Sequence, residues 1–234
     1  YIGTEAFAGT NLAKVTLNGK AVYEKTQDGY IYYMNFDEYN PKGLIIYDIV
    51  EEKFQNIETL TIPSTIDGQE VVAVYADFRS TSLKKVIFNN EIIYGITDDG
   101  FVYSEYDNRI YIEGMTKIPE ALLAYTVIKE ITIPSTIEGK EVVEVYISIM
   151  DTDIKKAYFK GKIYQGVTEQ GLYYWQNDDD TITIYDYTRI YDDEVEHPVD
   201  ITIPDTIEGM KITTIGAYAF SYSYINSIDF GANL

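Results

Sequence analysis

Leu60 to Val74 reads LTIPSTIDGQEVVAV, and the text returns as Ile131 to Val145, ITIPSTIEGKEVVEV, and as Ile201 to Ile215, ITIPDTIEGMKITTI. The second copy matches the first at 11 of 15 positions, and the third matches the second at 8 of 15. The offsets are 71 and 70 residues. Self-similarity at a fixed period is the mark of a repeat architecture, in which no unit can bury its apolar face without a neighbour. Other landmarks keep the same step. Gly29, Gly100 and Gly171 each open an aromatic run, while Phe7, Phe78, Ile149 and Phe220 form one apolar column and Leu12, Leu83, Ile154 and Ile225 another. The 234 residues therefore divide into a partial unit (1–28), two whole units (29–99 and 100–170) and a further partial unit (171–234), expected as a single repeat array over 1–234. With Tyr1 in place of Met, the chain reads as a trimmed piece of a longer protein.

Within a unit the pattern is that of strands and turns. Ile31-Tyr32-Tyr33-Met34 and Leu172-Tyr173-Tyr174-Trp175 are followed, after a polar stretch, by Leu44-Ile45-Ile46-Tyr47 and Ile182-Thr183-Ile184-Tyr185. Two β-rich runs around a polar link predict a hairpin. Pro63, Pro134 and Pro204 end a short strand because proline has no N–H for a further ladder bond. Asp67-Gly68, Glu138-Gly139 and Glu208-Gly209 suit a turn that needs positive φ. A last strand, Lys85-Val86-Ile87-Phe88 and its equivalents, closes the unit. Helical periodicity is nearly absent, with Ala217 to Phe220, Glu5 to Phe7 and the 120–128 stretch as the only expected helical turns.

Composition excludes more than it names. There is no Cys, which removes disulfides, thiolate nucleophiles and Cys-type zinc sites. Thirty-eight acidic against 18 basic residues give a formal net charge of −20, so nucleic acid and anionic membrane surfaces are poor partners. The longest apolar run, Ala121 to Ile128, is well short of the ~20 residues of a membrane helix, so no membrane insertion is expected of this segment. His197 is the only histidine and stands in an acidic loop before Pro198. It reads as a solvated residue. With 38 acids, no pair of carboxylates in sequence points to glycoside hydrolysis. Asp178-Asp179-Asp180 and Asp151-Thr152-Asp153 offer oxygens for a hard cation but complete no calcium loop, and read as turns. No catalytic residue, metal ligand or cofactor site is assigned.

Ile215-Gly216-Ala217-Tyr218-Ala219-Phe220 with Ile225 and Ile228, and Ile2-Gly3-Thr4-Glu5-Ala6-Phe7 with Leu12 and Val15, resemble the signature IGxxAFxxxxxLxxIxIP. Preceded by IPxTIxG, that pattern is similar to the BspA-like (Treponema-pallidum-type) leucine-rich repeats of bacterial surface proteins. The middle copies depart from it, carrying Val74-Tyr75-Ala76-Asp77-Phe78 and Val145-Tyr146-Ile147-Ser148-Ile149, one residue shorter. The resemblance implies a mainly β, leucine-rich-repeat-type solenoid with a hairpin module inserted in each ~71-residue unit. It also implies an exported or cell-surface location and adhesion to host or neighbouring cells through an extracellular or cell-surface protein or glycan.

Two surfaces are the candidates for such binding. Recurrence places Tyr32, Tyr103 and Tyr174 in the core, so alternation along a strand turns Tyr33, Ser104 and Trp175 outward. Exposed aromatics stack on sugar rings or anchor a protein. On the repeat strands the outward set is Thr61, Thr132 and Thr202, then Thr16, Ile87, Tyr158 and Asp229, flanked by Lys14, Lys85 and Lys156. Lys85, Ile87, Lys156, Tyr158, Tyr33 and Trp175 are thus the expected binding residues, of a non-catalytic module, a structural stalk or a glycan-binding accessory.

Overall fold

Strands follow the β-branched and Tyr-rich runs closely, and they come in an alternation of four and three. In the computed structural model, which describes residues 11–35, 42–116, 129–150, 152–188 and 198–230, the first four strands are β1 (Lys14–Leu17), β2 (Lys20–Lys25), β3 (Tyr30–Asn35) and β4 (Gly43–Ile49). Three short ones follow, β5 (Thr59–Thr61), β6 (Thr65–Ile66) and β7 (Gln69–Val74). The next group of four is β8 (Lys85–Phe88), β9 (Glu91–Ile96), β10 (Phe101–Tyr106) and β11 (Arg109–Met115), then β12 (Glu130–Ile133), β13 (Thr136–Ile137) and β14 (Lys140–Val145). The last set is β15 (Lys156–Phe159), β16 (Lys162–Val167), β17 (Leu172–Gln176) and β18 (Ile182–Tyr187), β19 (Val199–Ile203), β20 (Thr206–Ile207) and β21 (Met210–Ile215), closed by β22 (Ile225–Phe230).

Each group of four is an antiparallel meander. The expected hairpins β3–β4, β10–β11 and β17–β18 are its second half. Its first half, the pairing of the repeat strand with β2, β9 or β16, is an addition to the sequence reading. The link there is Asn18-Gly19, Asn89-Asn90 or Lys160-Gly161, and every one of these residues has positive φ. Two-residue links of that kind match the right-handed twist of the flanking strands. Asp67-Gly68, Glu138-Gly139 and Glu208-Gly209 close the β6–β7, β13–β14 and β20–β21 hairpins in the same way.

Parallel pairings tie the groups together. Leu60 lies beside Val86, Thr132 beside Tyr158, and Ile201 beside Ile228. Strands β4 and β18 pair with β7 and β21. The chain then leaves each meander by the same bond: Tyr75 N–H donates to Ile46 C=O at 2.8 Å, Tyr146 to Ile112 at 2.8 Å, and Gly216 to Ile184 at 2.7 Å.

Contacts divide the chain into two compact units, residues 1–117 with 143–146, and 118–142 with 147–234. The first is centred on Tyr32, Leu44, Ile46, Leu60, Ile62, Val71, Phe78, Leu83 and Val86. The second is centred on Leu172, Tyr174, Ile182, Ile184, Ile201, Ile203, Ile207 and Ile212. These are the columns read from the repeat. No α-helix occurs among the described residues; a 3-10 turn spans Glu51–Lys53. Ala217 to Phe220 is a turn rather than the expected helical one, because Tyr218 adopts φ +66° and a helix cannot pass through that conformation. The other two expected helical turns, and His197, lie outside the described residues.

Candidate functional site

The inward tyrosine column owes its place to a cross-strand fit. Tyr103 pairs with Gly95 and Tyr174 with Gly166, and in each pair the ring lies on the glycine, where a Cβ would come within 2.3 and 2.4 Å of ring carbon. In the first repeat Glu24 stands at that position instead, and Tyr32 donates its hydroxyl to Glu24 Oε2 at 2.9 Å. Tyr32, Tyr103 and Tyr174 are all buried, and burial pushes the Tyr174 hydroxyl up to about 12.

The residues beside that column behave differently. Trp175 is 39% exposed, its indole N–H donates to Asn177 Oδ1 at 3.0 Å, and its ring stacks on Tyr185 at 4.8 Å and 21°. Tyr33 is half-buried with its ring 5.6 Å from Tyr47. Both are therefore braced by a second aromatic on the neighbouring strand.

On the parallel strands, Thr61, Thr132 and Thr202 are exposed. Their neighbours are less open than the alternation suggested. Lys85 and Ile87 are half-buried. Lys156 is held by Glu208 at 2.8 Å and lies 3.6 Å from Glu130, and the hydrogen bond to Glu208 raises its pKa. Tyr158, beside exposed Thr132, is half-buried and packs against the core of the second unit. A register shift precedes it, between Ala157 and Tyr158, as it precedes Thr16 and Ile87 in the equivalent strands. The Asp178-Asp180 segment is the expected turn: Thr181 N–H bonds Asp179, and Lys162 reaches Asp178. Among the described residues no three acidic or imidazole groups converge as a metal site requires.

Sequence reasoning missed a cleft of about 380 Å³ in the first unit, between the segment after β7 and the faces of β9, β10 and β11. Phe78, Tyr94, Val102, Tyr103 and Met115 supply apolar wall; Asp77, Arg79 and Glu113 supply charge. Arg79 grips Asp77 with Nε and Nη2, at 3.0 and 2.8 Å, and with its own backbone N–H at 3.0 Å. Those bonds hold the Asp77 carboxyl down at about 2. The signal for this place lay in the shortened Val74 to Phe78 copy, where the repeat signature breaks.

Parallel repeat strands alternating with antiparallel meanders, at a fixed step, define a leucine-rich-repeat protein of solenoid type. Residues 1–92, 44–141 and 197–234 match the BspA type leucine rich repeat region, in six copies, and the chain belongs to that family. No curated protein and no solved structure matches it. Repeats of this family are typically binding or scaffold modules without catalysis, and the family is commonly surface-exposed in bacteria.

Proposed function

We propose that this chain is a non-catalytic recognition module displayed on a bacterial cell surface, where it binds an extracellular or cell-surface protein of a host or neighbouring cell. The observation that carries the reading is the parallel strand pair itself. It occurs three times among the described residues, in separate sheets, and each copy leaves one threonine, Thr61, Thr132 or Thr202, open to solvent between residues turned to the core. Ladders of this kind are the usual binding surface of repeat proteins. The net charge of −20 favours a basic partner and a salt-sensitive association.

The test is a binding screen of the purified chain against extracellular-matrix proteins and a glycan panel. It is run beside a Thr61→Glu/Thr132→Glu/Thr202→Glu variant and Trp175→Ala. Saturable protein binding, weakened by salt and lost in the triple variant, is the expected result. A second reading, glycan binding, is favoured by the exposed Trp175 braced on Tyr185, and would be marked by sugar binding lost in Trp175→Ala alone. No saturable ligand for the folded chain would leave it a structural stalk and overturn the proposal.

A further inference from the structure

Between β21 and β22 the chain reads Gly216-Ala217-Tyr218-Ala219-Phe220-Ser221-Tyr222-Ser223-Tyr224. Tyr218 is 85% exposed, Tyr224 57%, and Tyr222 entirely. The segment is nonetheless held in one shape. Ala219 is buried, and the Phe220 ring lies 6.0 Å from that of Tyr187. Ser221 N–H donates to Tyr218 C=O at 2.8 Å, and Val199 N–H donates to Tyr224 C=O at 3.2 Å. Tyr218 and Tyr222 stand at φ +66° and +60°, a conformation that costs free energy for a bulky side chain. Residues 75–83, the corresponding segment of the first repeat, contain no positive φ. Tyrosines set among serines on a rigid loop offer broad amphipathic contact area at low entropic cost, which is the chemistry of a protein-binding loop.

The loop leads directly into the third parallel ladder, β19 with β22, and that ladder has lost its cation. Lys14, Lys85 and Lys156 open the earlier repeat strands, and 71 residues beyond Lys156 stands Ser227. In the second ladder Glu130 is paired with Lys156 and lies 3.6 Å from its ammonium. In the third, Asp200 is paired with Ser227, and its Oδ1 accepts from the Ser227 hydroxyl and, at 2.8 Å, from the Asn226 amide. Those neutral donors hold the Asp200 carboxyl below its ordinary range, so it stays ionised. Asp229 stands beside Thr202 and is exposed, as Asp200 is. Among the described residues neither acid has an ion pair. Asp200 and Asp229 are two steps apart along the pair and one strand across, about 8 Å between Cα atoms. Alternate residues of an extended chain are separated by about 7 Å. A segment with a cation at every second position therefore matches the two carboxylates, and its side-chain stems and cationic heads suit tyrosine rings.

We propose that the tyrosine loop and the third ladder together form the docking site for an extended basic segment of a protein partner, its alternate cations on Asp200 and Asp229 and its stems against the rings of the loop. The inference rests on the protein-binding reading above and narrows it to one ladder and one partner chemistry. The test is fluorescence-anisotropy titration of the whole chain with labelled Thr-Arg-Thr-Arg-Thr-Arg-Thr, and with the analogue carrying Gln for Arg. Saturable binding of the Arg peptide alone is expected. It should be about tenfold weaker in Asp200→Asn/Asp229→Asn and about fivefold weaker in Tyr222→Ser/Tyr224→Ser. Glu52→Gln/Glu70→Gln removes the same charge from exposed acids of the first unit and should weaken binding no more than about twofold. All six altered side chains are exposed, so each variant should keep the circular dichroism of the parent. No saturation with the Arg peptide, equal affinity for the Gln peptide, equal weakening by the two carboxylate pairs, or indifference to the tyrosine pair would overturn the assignment. A partner found in the protein screen while the Arg peptide fails would remove this site and leave the ladders of Thr61 and Thr132 standing. Peptide binding as expected beside an empty screen would keep the site and remove the wider reading.

Discussion

Gly166 and Gly68 are both indispensable, for unrelated reasons. Gly166 has ordinary backbone geometry, but the Tyr174 ring occupies the space a methyl would need, 2.4 Å from the built Cβ. Gly68 has open space around it and φ +73°. Gly166→Ala should therefore lose about 1–3 kcal/mol through displacement of a packed ring. Gly68→Ala should lose about 1–2 kcal/mol through backbone strain alone. Gly114 meets nothing within 4 Å and has no positive φ, so Gly114→Ala should stay within about 0.5 kcal/mol of the parent. Urea denaturation of the three variants, read at constant slope, separates these expectations. Ring-on-glycine pairing was out of reach from the repeat alone. The repeat showed a Tyr column, but which residue it faced depended on a pairing partner, the β9 or β16 strand, that the sequence reading had not placed.

Strands of this protein carry their orientation in their alternation, which β8 keeps through its bulge between Val86 and Ile87. Leu60-Thr61-Ile62 obeys the rule, with Thr61 out and its neighbours buried. On β15 Tyr158 lies beside exposed Thr132, yet it is half-buried because its side chain packs against the core of the second unit. Tyr158→Ser should accordingly cost about 1–1.5 kcal/mol in denaturant unfolding, as for a half-buried side chain, whereas Thr132→Ser should change stability by less than about 0.5 kcal/mol. Equal, small effects of both would return Tyr158 to the surface. Lys156, another of the expected binding residues, is tied by an ion pair instead. A residue one turn of the pattern away, Glu208, already holds it at 2.8 Å.

Taken over the whole chain, tyrosine dominates the response to alkali. Burial is the leading cause that raises the hydroxyls of Tyr30, Tyr32, Tyr94, Tyr164, Tyr174 and Tyr185 above the ordinary 10.0, Tyr174 to about 12. The folded state keeps protons that the unfolded chain releases near pH 10, so these groups leave stability unchanged below pH 10. Their contribution is lost as pH rises from 10 towards 12. Tyrosinate absorbance followed against pH should show a cooperative rise coincident with loss of β-sheet circular dichroism; independent, gradual titration of all 24 tyrosines would contradict this. The net charge of −20 adds self-repulsion that salt relieves. Raising ionic strength to about 0.15 M, where the screening length is about 8 Å, should raise Tm by about 2–4 °C, equivalent to roughly 1 kcal/mol. A flat or falling Tm would show that the acids are already compensated locally.

Sequence by itself determined the period, the strand-rich class, the family resemblance, the turns at Asp67-Gly68 and its copies, and the buried columns through Tyr32, Phe78 and Leu83. Each of these is a local or repeated signal: a proline that cannot donate, a residue pair that tolerates positive φ, an apolar residue returning at a fixed step. Only the tertiary structure decided that the repeat strand folds back on β2, β9 or β16, that Tyr158 is half-buried against the core, and that Tyr94 borders an open cleft where Gln165 seals the equivalent place. Register shifts and the fate of a hydroxyl depend on which distant strand lies alongside, and pairing between strands is set by packing that no single repeat contains.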